Sequence, residues 1–211
     1  MTSSAGRYKT ISADPPWHEA GGGKIRRGAN RHYSLMKTRD IAAMPVQRLA
    51  HPDGCHLWLW VTNNYLRDGL AVMEAWGFRY VTNVVWVKKR NEKIQRGLGQ
   101  YIRGSHELLL FGVRGRLPYA RDVVTGKRAQ PASAFETPDP RDPTLPDGGA
   151  FYAPRGVHSA KPLEARAIME MVSPGPRAEL FARTELETWD CWGSWSDARD
   201  PLVDVLGVPG R

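Results

Sequence analysis

The run Leu57-Trp58-Leu59-Trp60-Val61 constrains the fold most strongly, because it is apolar at every position. A strand with one solvated face alternates apolar and polar side chains, whereas a strand covered on both faces reads as a continuous apolar run. The segment therefore predicts a central strand with further layers packed on both sides of its sheet. Such a strand is typical of α/β proteins.

Other segments predict strands and helices that alternate along the chain. Further strands are expected over residues 8–13, 78–87, 108–113 and 178–182. Helical spacing predicts a helix that is capped by Asn63 or Asn64, ends at Gly77, and has Leu66, Leu70 and Met73 on its apolar face. A second helix is expected from Pro162 to Val172 with Leu163, Ala167 and Met171 on one face, and a short helix within residues 38–49 is interrupted by Pro45.

This alternation predicts an α/β fold with a Rossmann-like, doubly wound and mostly parallel sheet. Ligands of such sheets bind beyond the carboxyl ends of the strands. The 211 residues, 41% of them hydrophobic, suit a single domain that spans residues 1–211. Two long irregular segments, residues 18–34 and 114–157, are predicted to be functional loops.

The first predicted strand leads directly into Asp14-Pro15-Pro16-Trp17. A carboxylate and a backbone carbonyl that accept the two N–H groups of an aromatic amine would localise its nitrogen lone pair and make it more nucleophilic. Asp14 supplies the carboxylate, Pro15 a carbonyl in a backbone stiffened by Pro16, and Trp17 a ring that can stack on an extruded base. A turn signal followed by a core tryptophan is the alternative interpretation.

The chain is basic, with a formal net charge of +8. The excess lies in three loop clusters, which favours a polyphosphate partner over a merely soluble surface. The first cluster contains Lys24, Arg26, Arg27 and Arg31; the second Lys88, Lys89, Arg90, Lys93, Arg96 and Arg103; the third Arg114, Arg116, Arg121, Lys127 and Arg128. Lys24, Arg26, Arg27 and Lys88 are the candidate nucleic-acid contacts among them.

Cys55 and Cys191 match no metal-ligand or redox spacing, so they are expected to be buried free thiols, and no metal is predicted. The amino-terminal residues lack a signal-peptide h-region, and no apolar stretch is long enough to span a membrane. We therefore expect a cytoplasmic protein that does not act at a membrane.

A set of motifs, in order, resembles the family of the messenger-RNA adenosine methyltransferase catalytic subunit, named for its seventy-kilodalton methyltransferase-A subunit, with its bacterial and phage relatives. The resemblance runs from about residue 8 to residue 193. Its landmarks after Asp14-Pro15-Pro16-Trp17 are His32-Tyr33-Ser34-Leu35-Met36, Leu57-Trp58-Leu59-Trp60-Val61-Thr62, Trp76-Gly77-Phe78, Val85-Trp86-Val87-Lys88, Gly97-Leu98-Gly99-Gln100-Tyr101, His106-Glu107, His158-Ser159-Ala160-Lys161-Pro162, Glu179-Leu180-Phe181-Ala182-Arg183 and Trp189-Asp190-Cys191-Trp192-Gly193.

The resemblance implies an S-adenosylmethionine-dependent methyltransferase with the permuted (beta-class) motif order, in which the catalytic strand comes first and the cofactor strand late. It implies that Asp14 to Trp17 hold the target amine and base, and that Asp14 also borders the cofactor. Tyr33 is implied beside the base or the methyl donor, or else packed under a loop. Lys161 is implied near phosphate or cofactor, with a helix-entry motif as the alternative.

The resemblance also places cofactor contacts at His106, Glu107, Arg183 and Ser194. An ion pair with Arg103 is the alternative for Glu107, and a salt bridge to the acidic carboxyl-terminal segment is the alternative for Arg183. Ser194 and Trp195 depart from the Asn and Gln or Glu that the family commonly has there. Trp195 cannot act as an acceptor, so we expect a lower cofactor affinity than the family pattern implies.

Three functional hypotheses follow. The first is methylation of the adenine exocyclic amine in DNA, and the second is the same chemistry on adenosine in RNA. The third is a noncatalytic nucleic-acid-binding subunit that has lost the cofactor. DNA is preferred because the chain is short and resembles the bacterial and phage branch. A homodimer and a heterodimer are both compatible with the sequence.

Overall fold

The computed structural model describes residues 6–18, 35–90, 93, 94, 96, 97, 99, 101–116, 121, 125–128, 133, 151–154, 161–183, 185–193, 205 and 206. Within them, eight strands form one sheet. The strands are β1 (Thr10–Ala13), β2 (Gly54–Val61), β3 (Arg79–Arg90), β4 (Lys93–Ile94), β5 (His106–Gly115), β6 (Phe151–Pro154), β7 (Arg177–Ala182) and β8 (Asp190–Gly193). The sequence-based prediction missed β4, β6 and β8.

The strand order is β4-β3-β5-β2-β1-β7-β8, and β6 pairs with β3. The half formed by β2, β1, β7 and β8 is parallel, as expected. The expectation of a mostly parallel sheet is confirmed for the described strands, six of which share one direction, whereas β5 runs antiparallel to β2 and β3 and β4 runs antiparallel to β3. The sheet is therefore mixed. Strand β5 lies between β2 and β3, which are parallel to each other, and runs in the opposite direction. The fold remains in the α/β class.

In the described part of the chain, three helices cover the two faces of the sheet. They are α1 (Thr38–Ala42), α2 (Leu66–Ala75) and α3 (Leu163–Val172), and short 3-10 turns lie at Val46–Arg48 and Asn63–Tyr65. Helix α2 ends as predicted, since Gly77 has a φ of +79° and its N–H donates to the carbonyl of Glu74. The predicted cap at Asn63 or Asn64 is wrong, because those residues form the 3-10 turn that precedes the helix.

The predicted apolar faces of α2 and α3 are both wrong in part. Helix α2 buries Gly69, Val72 and Met73 and leaves Leu66 and Leu70 partly exposed. It approaches β2 most closely at Gly69, where an added Cβ would lie 2.4 Å from Cγ1 of Val61. Helix α3 buries the alternative stripe of Ala165, Ile168 and Met169, whereas Leu163 and Met171 are exposed. Either stripe has helical spacing, so only the packing selects the buried one.

Strand β2 confirms the prediction of a strand covered on both faces. All of its residues are buried. Leu57, Leu59 and Val61 face the layer formed by α1 and α2, whereas Trp58 and Trp60 face the layer formed by α3. The core positions predicted for Trp58, Trp60, Trp76 and Trp86 are confirmed. Cys55 is a buried free thiol, as expected, and Cys191 is free and partly exposed.

Candidate active site

Charged side chains from four parts of the chain meet at one edge of the sheet. Asp14 follows β1 directly, and Arg183 follows the adjacent parallel strand β7. Glu107 lies opposite Trp86, near the carboxyl end of β3, and the next residue pairs with Val61 at the end of β2. Since this edge holds the carboxyl ends of β1, β2, β3 and β7, it is where an α/β sheet binds its ligands.

Both carboxylate oxygens of Asp14 are held by cations. Lys161 Nζ lies 3.0 Å from Oδ1 of Asp14, and Arg183 Nη2 donates to Oδ2 over 2.9 Å. The Asp14 side chain is only 15% exposed. Two charge-assisted bonds in a partly buried setting restrain the carboxylate in one orientation. Each oxygen keeps a further lone pair with which it can accept an N–H group.

Lys161 connects Asp14 to a second carboxylate, Glu107. Lys161 Nζ donates to Oε2 of Glu107 over 3.0 Å, and Lys88 Nζ donates to Oε1 over 2.5 Å. Burial raises the pKa of Glu107, but the ammonium groups of Lys161 and Lys88 lower it more, so this pKa lies below its usual range. Burial lowers the pKa of Lys161, yet the carboxylates of Asp14 and Glu107 raise it above its ordinary value. Glu107 and Lys161 therefore stabilise each other in their ionised forms.

Two tryptophans support the ammonium groups from the α3 side of the sheet. Lys161 Nζ lies 5.2 Å from the ring centroid of Trp60, and Lys88 Nζ lies 5.1 Å from that of Trp86. Both distances are within the range of cation–π attraction. The apolar strand interior thus also positions the cations of the site.

The Asp14-Pro15-Pro16-Trp17 segment forms a tight turn. The Trp17 N–H donates to the Pro15 carbonyl over 2.9 Å, and the Met36 N–H donates to the Pro16 carbonyl over 2.8 Å. A carbonyl oxygen has two lone pairs, so the one on Pro15 can accept a second N–H group. The turn therefore presents a carboxylate and a carbonyl at neighbouring positions.

Trp17 is 7% exposed and is anchored by its own contacts. Its Nε1 donates to the Trp60 carbonyl over 3.1 Å, and its ring stacks on Tyr65 with centroids 5.4 Å apart and planes at 22°. The Tyr65 hydroxyl in turn donates to the carbonyl of His18. These contacts of Trp17 thus stabilise the turn. The predicted stacking of Trp17 on a substrate base stays a prediction.

A strained backbone aims Arg183 at the site. Phe181 has a φ of +62°, in the left-handed region that a residue with a Cβ seldom adopts, and the register of β7 against β8 shifts at this position. Its ring is held edge-on against Trp192, with centroids 5.3 Å apart. Gly193 closes the bulge, since an added Cβ would lie 1.8 Å from the Ala182 carbonyl oxygen. Strain of this kind is found preferentially at functional sites.

A second ion pair joins α3 to β7 beside the site. Arg166 Nη2 and Glu179 Oε2 are 3.0 Å apart. Burial raises the pKa of Glu179, the negative charge of Asp14 raises it further, and Arg166 opposes both, which leaves the pKa above its usual value. Arg166 and Glu179 therefore form a partly buried ion pair near the end of β7, the strand that precedes Arg183.

The structure brings together several residues proposed from the sequence: Asp14, Pro15, Pro16, Trp17, Lys88, Glu107, Lys161 and Arg183. His106 is half-buried at the start of β5, opposite Val87. The Arg103 alternative for Glu107 is wrong, because Glu107 pairs with Lys88 and Lys161 while Arg103 Nε donates to the Gly97 carbonyl. Lys24, Arg26, Arg27, Tyr33 and Ser194 lie outside the described residues, as do most of loops 18–34 and 114–157.

Sequence reasoning missed four features of the site: the bridge by Lys161 between two carboxylates, the support of Trp17 by Tyr65, the strained Phe181, and the ion pair between Arg166 and Glu179. One signal was present, because Glu107 is a charged residue at the start of the apolar run of β5. A charge that leads into a buried strand needs partners. Nothing in the sequence identifies those partners or the φ of Phe181.

Among the described residues, no helix combines the length and apolar character required to cross a membrane. Within the same part of the chain, no group of three or more His, Cys, Asp or Glu side chains is arranged to hold a metal ion.

This fold and site place the chain among the α/β methyltransferases. It belongs to the MT-A70 family, whose family model matches residues 8–195. The chain is 25% identical to the type II methyltransferase M.MunI of Mycoplasma sp, over 89% of this chain and 77% of that protein. It is 28% identical to a putative N(6)-adenosine-methyltransferase MT-A70-like protein of Medicago truncatula, over 84% of this chain and 24% of that protein.

The human N(6)-adenosine-methyltransferase catalytic subunit METTL3 is 26% identical, over 86% of this chain and 26% of its own length. The chain thus spans about a quarter of these adenosine methyltransferases and most of the type II enzyme. The sequence-based expectation of this family and of an α/β methyltransferase fold is confirmed.

Proposed function

We propose that this chain transfers a methyl group to the exocyclic amine of adenine in DNA. The observation that supports this most directly is the position of Asp14, restrained by Lys161 and Arg183 beside the Pro15 carbonyl. These two acceptors match the two N–H groups of an amine attached to an aromatic ring. Neither acceptor is saturated by its contacts within the protein.

The adenine amine is a weak nucleophile because its lone pair is delocalised into the ring. Acceptance of its two hydrogens by Asp14 and Pro15 opposes that delocalisation, and the carboxylate stabilises the positive charge that develops on nitrogen. Asp14 is the carboxylate positioned to receive the proton that the methylated nitrogen loses. Because Asp14 is already oriented, little reorganisation is needed during the reaction.

The methyl group is supplied by S-adenosylmethionine when it is bound. The described residues fit this cofactor, which combines a sulfonium, an amino-acid tail and a ribose. Lys161 and Lys88 are available to its carboxylate, Glu107 to its ammonium, and Arg183 to its hydroxyl groups. His106, Asp14 and Ser194 are the remaining proposed contacts. The alternating charges at the edge suit a zwitterionic tail.

DNA is the preferred substrate because the chain has most of the length of a type II methyltransferase and carries clustered positive charge. The relatives named as adenosine methyltransferases favour RNA as the second candidate. A noncatalytic subunit is the third hypothesis, and calorimetry with S-adenosylmethionine addresses it. If no heat of S-adenosylmethionine binding is detected, either with the protein alone or with an added oligonucleotide, the third hypothesis is favoured.

The decisive experiment is transfer of a radiolabelled methyl group to DNA and RNA oligonucleotides of matched sequence, followed by nucleoside analysis. We expect label in N6-methyldeoxyadenosine. Asp14→Ala should abolish transfer but leave cofactor binding largely intact, because the proposed contacts of Lys88, Glu107 and Arg183 remain. Asp53→Ala is the matched control, because that carboxylate is 77% exposed and pairs only with His51 among the contacts described. Full activity of Asp14→Ala would overturn the proposed mechanism.

A further inference from the structure

Two adjacent apolar side chains are displayed at the tip of the loop between β4 and β5. Tyr101 is 99% exposed and Ile102 is 87% exposed. Scattered surface hydrophobics are ordinary, but a neighbouring aromatic and aliphatic residue with almost no protein contact leave a large apolar area in water. We call these two residues the tip.

The backbone around the tip is held by specific contacts. The Gly97 N–H donates to the Gly104 carbonyl over 2.7 Å, and Arg103 Nε donates back to the Gly97 carbonyl over 2.8 Å. At Gly99 an added Cβ would lie 2.0 Å from the Ile102 carbonyl oxygen. The turn is therefore too tight for any residue other than glycine at this position, and it presents the tip outward.

The tip extends from the edge that carries the candidate active site. Ser105, which follows the loop, accepts a hydrogen bond from the Lys88 N–H over 2.8 Å, and Glu107 is two residues further along. A chain from Glu107 back to Tyr101 spans at most about 20 Å when fully extended. The tip thus lies within the width of a nucleic-acid duplex from the network of Glu107, Lys161 and Asp14.

The charges around the tip favour a polyanionic partner. Lys93, Arg96 and Arg103 are basic, and residues 93–106 include no Asp or Glu. A protein-binding patch is usually depleted of charge at its centre, whereas a nucleic-acid surface combines cations for phosphates with apolar groups for bases. The combination found here matches the second kind of surface.

We propose that the tip inserts into the base stack of duplex DNA next to the adenine that is extruded into the active site. Apolar wedges that enter a base step occupy the space that unstacking creates, and the extruded base must leave such a space. Arg96 and Arg103 then contact the flanking phosphates. The inference rests on the proposed function, because it requires a base to be drawn from a duplex toward Asp14.

The test compares methyl transfer to one unmethylated DNA in its native form and after heat denaturation, so that both samples contain the same sequences. The variants are Tyr101→Ala combined with Ile102→Ala, and Tyr101→Phe, which keeps the ring. Tyr80→Ala is the matched control, since Tyr80 is a partly exposed aromatic on β3 that pairs with Gly112, away from the site.

We expect the double variant to lose about tenfold or more of its transfer rate on native DNA, and clearly less on denatured DNA, where no stack has to be opened. Tyr101→Phe and Tyr80→Ala should retain the wild-type rate on both. Weak binding to random duplexes should keep its salt dependence in the double variant, because that dependence reports phosphate contacts.

Equal rates for the double variant and the wild type would overturn the proposed insertion of the tip but not the proposed function. An equal loss of rate on native and denatured DNA would do the same. The second pattern, together with a smaller oligomer in light scattering, would assign the tip to a protein contact. If the wild type labels neither DNA sample, the proposed function fails and the wedge fails with it. Labelling of RNA only would also exclude a duplex-DNA wedge.

Discussion

Arg183 donates a hydrogen bond of 2.9 Å to Asp14 across 169 residues of sequence. The contact forms because β1 and β7 are parallel neighbours, so the residues that follow them emerge side by side. Lys161 completes the arrangement from the segment before α3. The orientation of Asp14 is therefore a property of three distant segments, and changes in any of them should affect the site.

Loss of Lys161 should destabilise the protein strongly. Lys161→Met leaves the partly buried carboxylates of Asp14 and Glu107 without their shared cation, which should cost about 3 kcal/mol of unfolding free energy. Urea unfolding measures this change. Lys88→Met is the matched control, because Glu107 then keeps Lys161 as a partner. An equal loss in the two variants would contradict the bridging role of Lys161.

Replacement of Glu107 together with Lys161 should lower the free energy of unfolding by less than the sum of the two single replacements. Glu107→Gln combined with Lys161→Met removes a carboxylate and its counter-charge at once, so the costs of the single variants should not add. A double-mutant cycle by urea unfolding gives the coupling energy. Strict additivity would show that the two side chains do not interact in solution.

Two substitutions of Trp17 should separate the stability contributed by its ring packing from that contributed by its indole N–H. Trp17→Phe keeps a ring to stack on Tyr65 but loses the hydrogen bond to the Trp60 carbonyl, which should cost about 1 kcal/mol. Trp17→Ala also creates a cavity and should cost about 3–5 kcal/mol. Thermal and urea unfolding check both values. Unchanged stability of Trp17→Ala would contradict the anchoring role.

The stability of the fold should decrease in acid because of His56, which lies on β2 far from the candidate active site. His56 is 2% exposed, its Nδ1 lies 2.9 Å from Oγ of Ser173, and burial lowers its pKa from 6.5 to about 4. The unfolded chain therefore binds a proton before the folded one does as the pH falls. Stability should be fully present above pH 6.5 and should decrease by about 3 kcal/mol down to pH 4.

The contribution of His56 is isolated by comparison with His56→Gln, because carboxyl groups such as Glu107 also lose stabilising charge in acid. Urea unfolding from pH 7.5 to pH 4.5 should give a shallower pH dependence in the variant. Curves of identical slope would show that His56 is not the responsible group.

At position 181 a glycine variant should be more stable than an alanine variant, which is the reverse of the usual order. Phe181→Ala and Phe181→Gly both lose the ring contact with Trp192, but only Gly adopts a φ of +62° without strain. Phe181→Gly should therefore be more stable than Phe181→Ala by about 1 kcal/mol. Denaturation midpoints measure the difference. The usual order, with Ala above Gly, would contradict the left-handed conformation.

The sequence predicted the central strand, the alternation of strands and helices, and the motif at the end of β1. These features follow from local patterns, such as the apolar run of β2 and the glycine that ends α2. Strand directions were less accessible, because β5 pairs with both β2 and β3 and has no local mark of its antiparallel course. Helix faces were also mistaken, since α3 offers two stripes of helical spacing.

The sequence by itself determined which residues are the candidates for the chemistry. Asp14, Glu107, Lys161 and Arg183 were proposed from motifs, and the predicted membership of the chain in the MT-A70 family is confirmed. Tertiary structure alone decided how they combine: Lys161 bridges two carboxylates, Arg183 takes the second oxygen of Asp14, and Trp17 rests on Tyr65. The physical reason is that ion pairs and ring contacts depend on distances between segments, and those distances exist only once the sheet has aligned its strand ends.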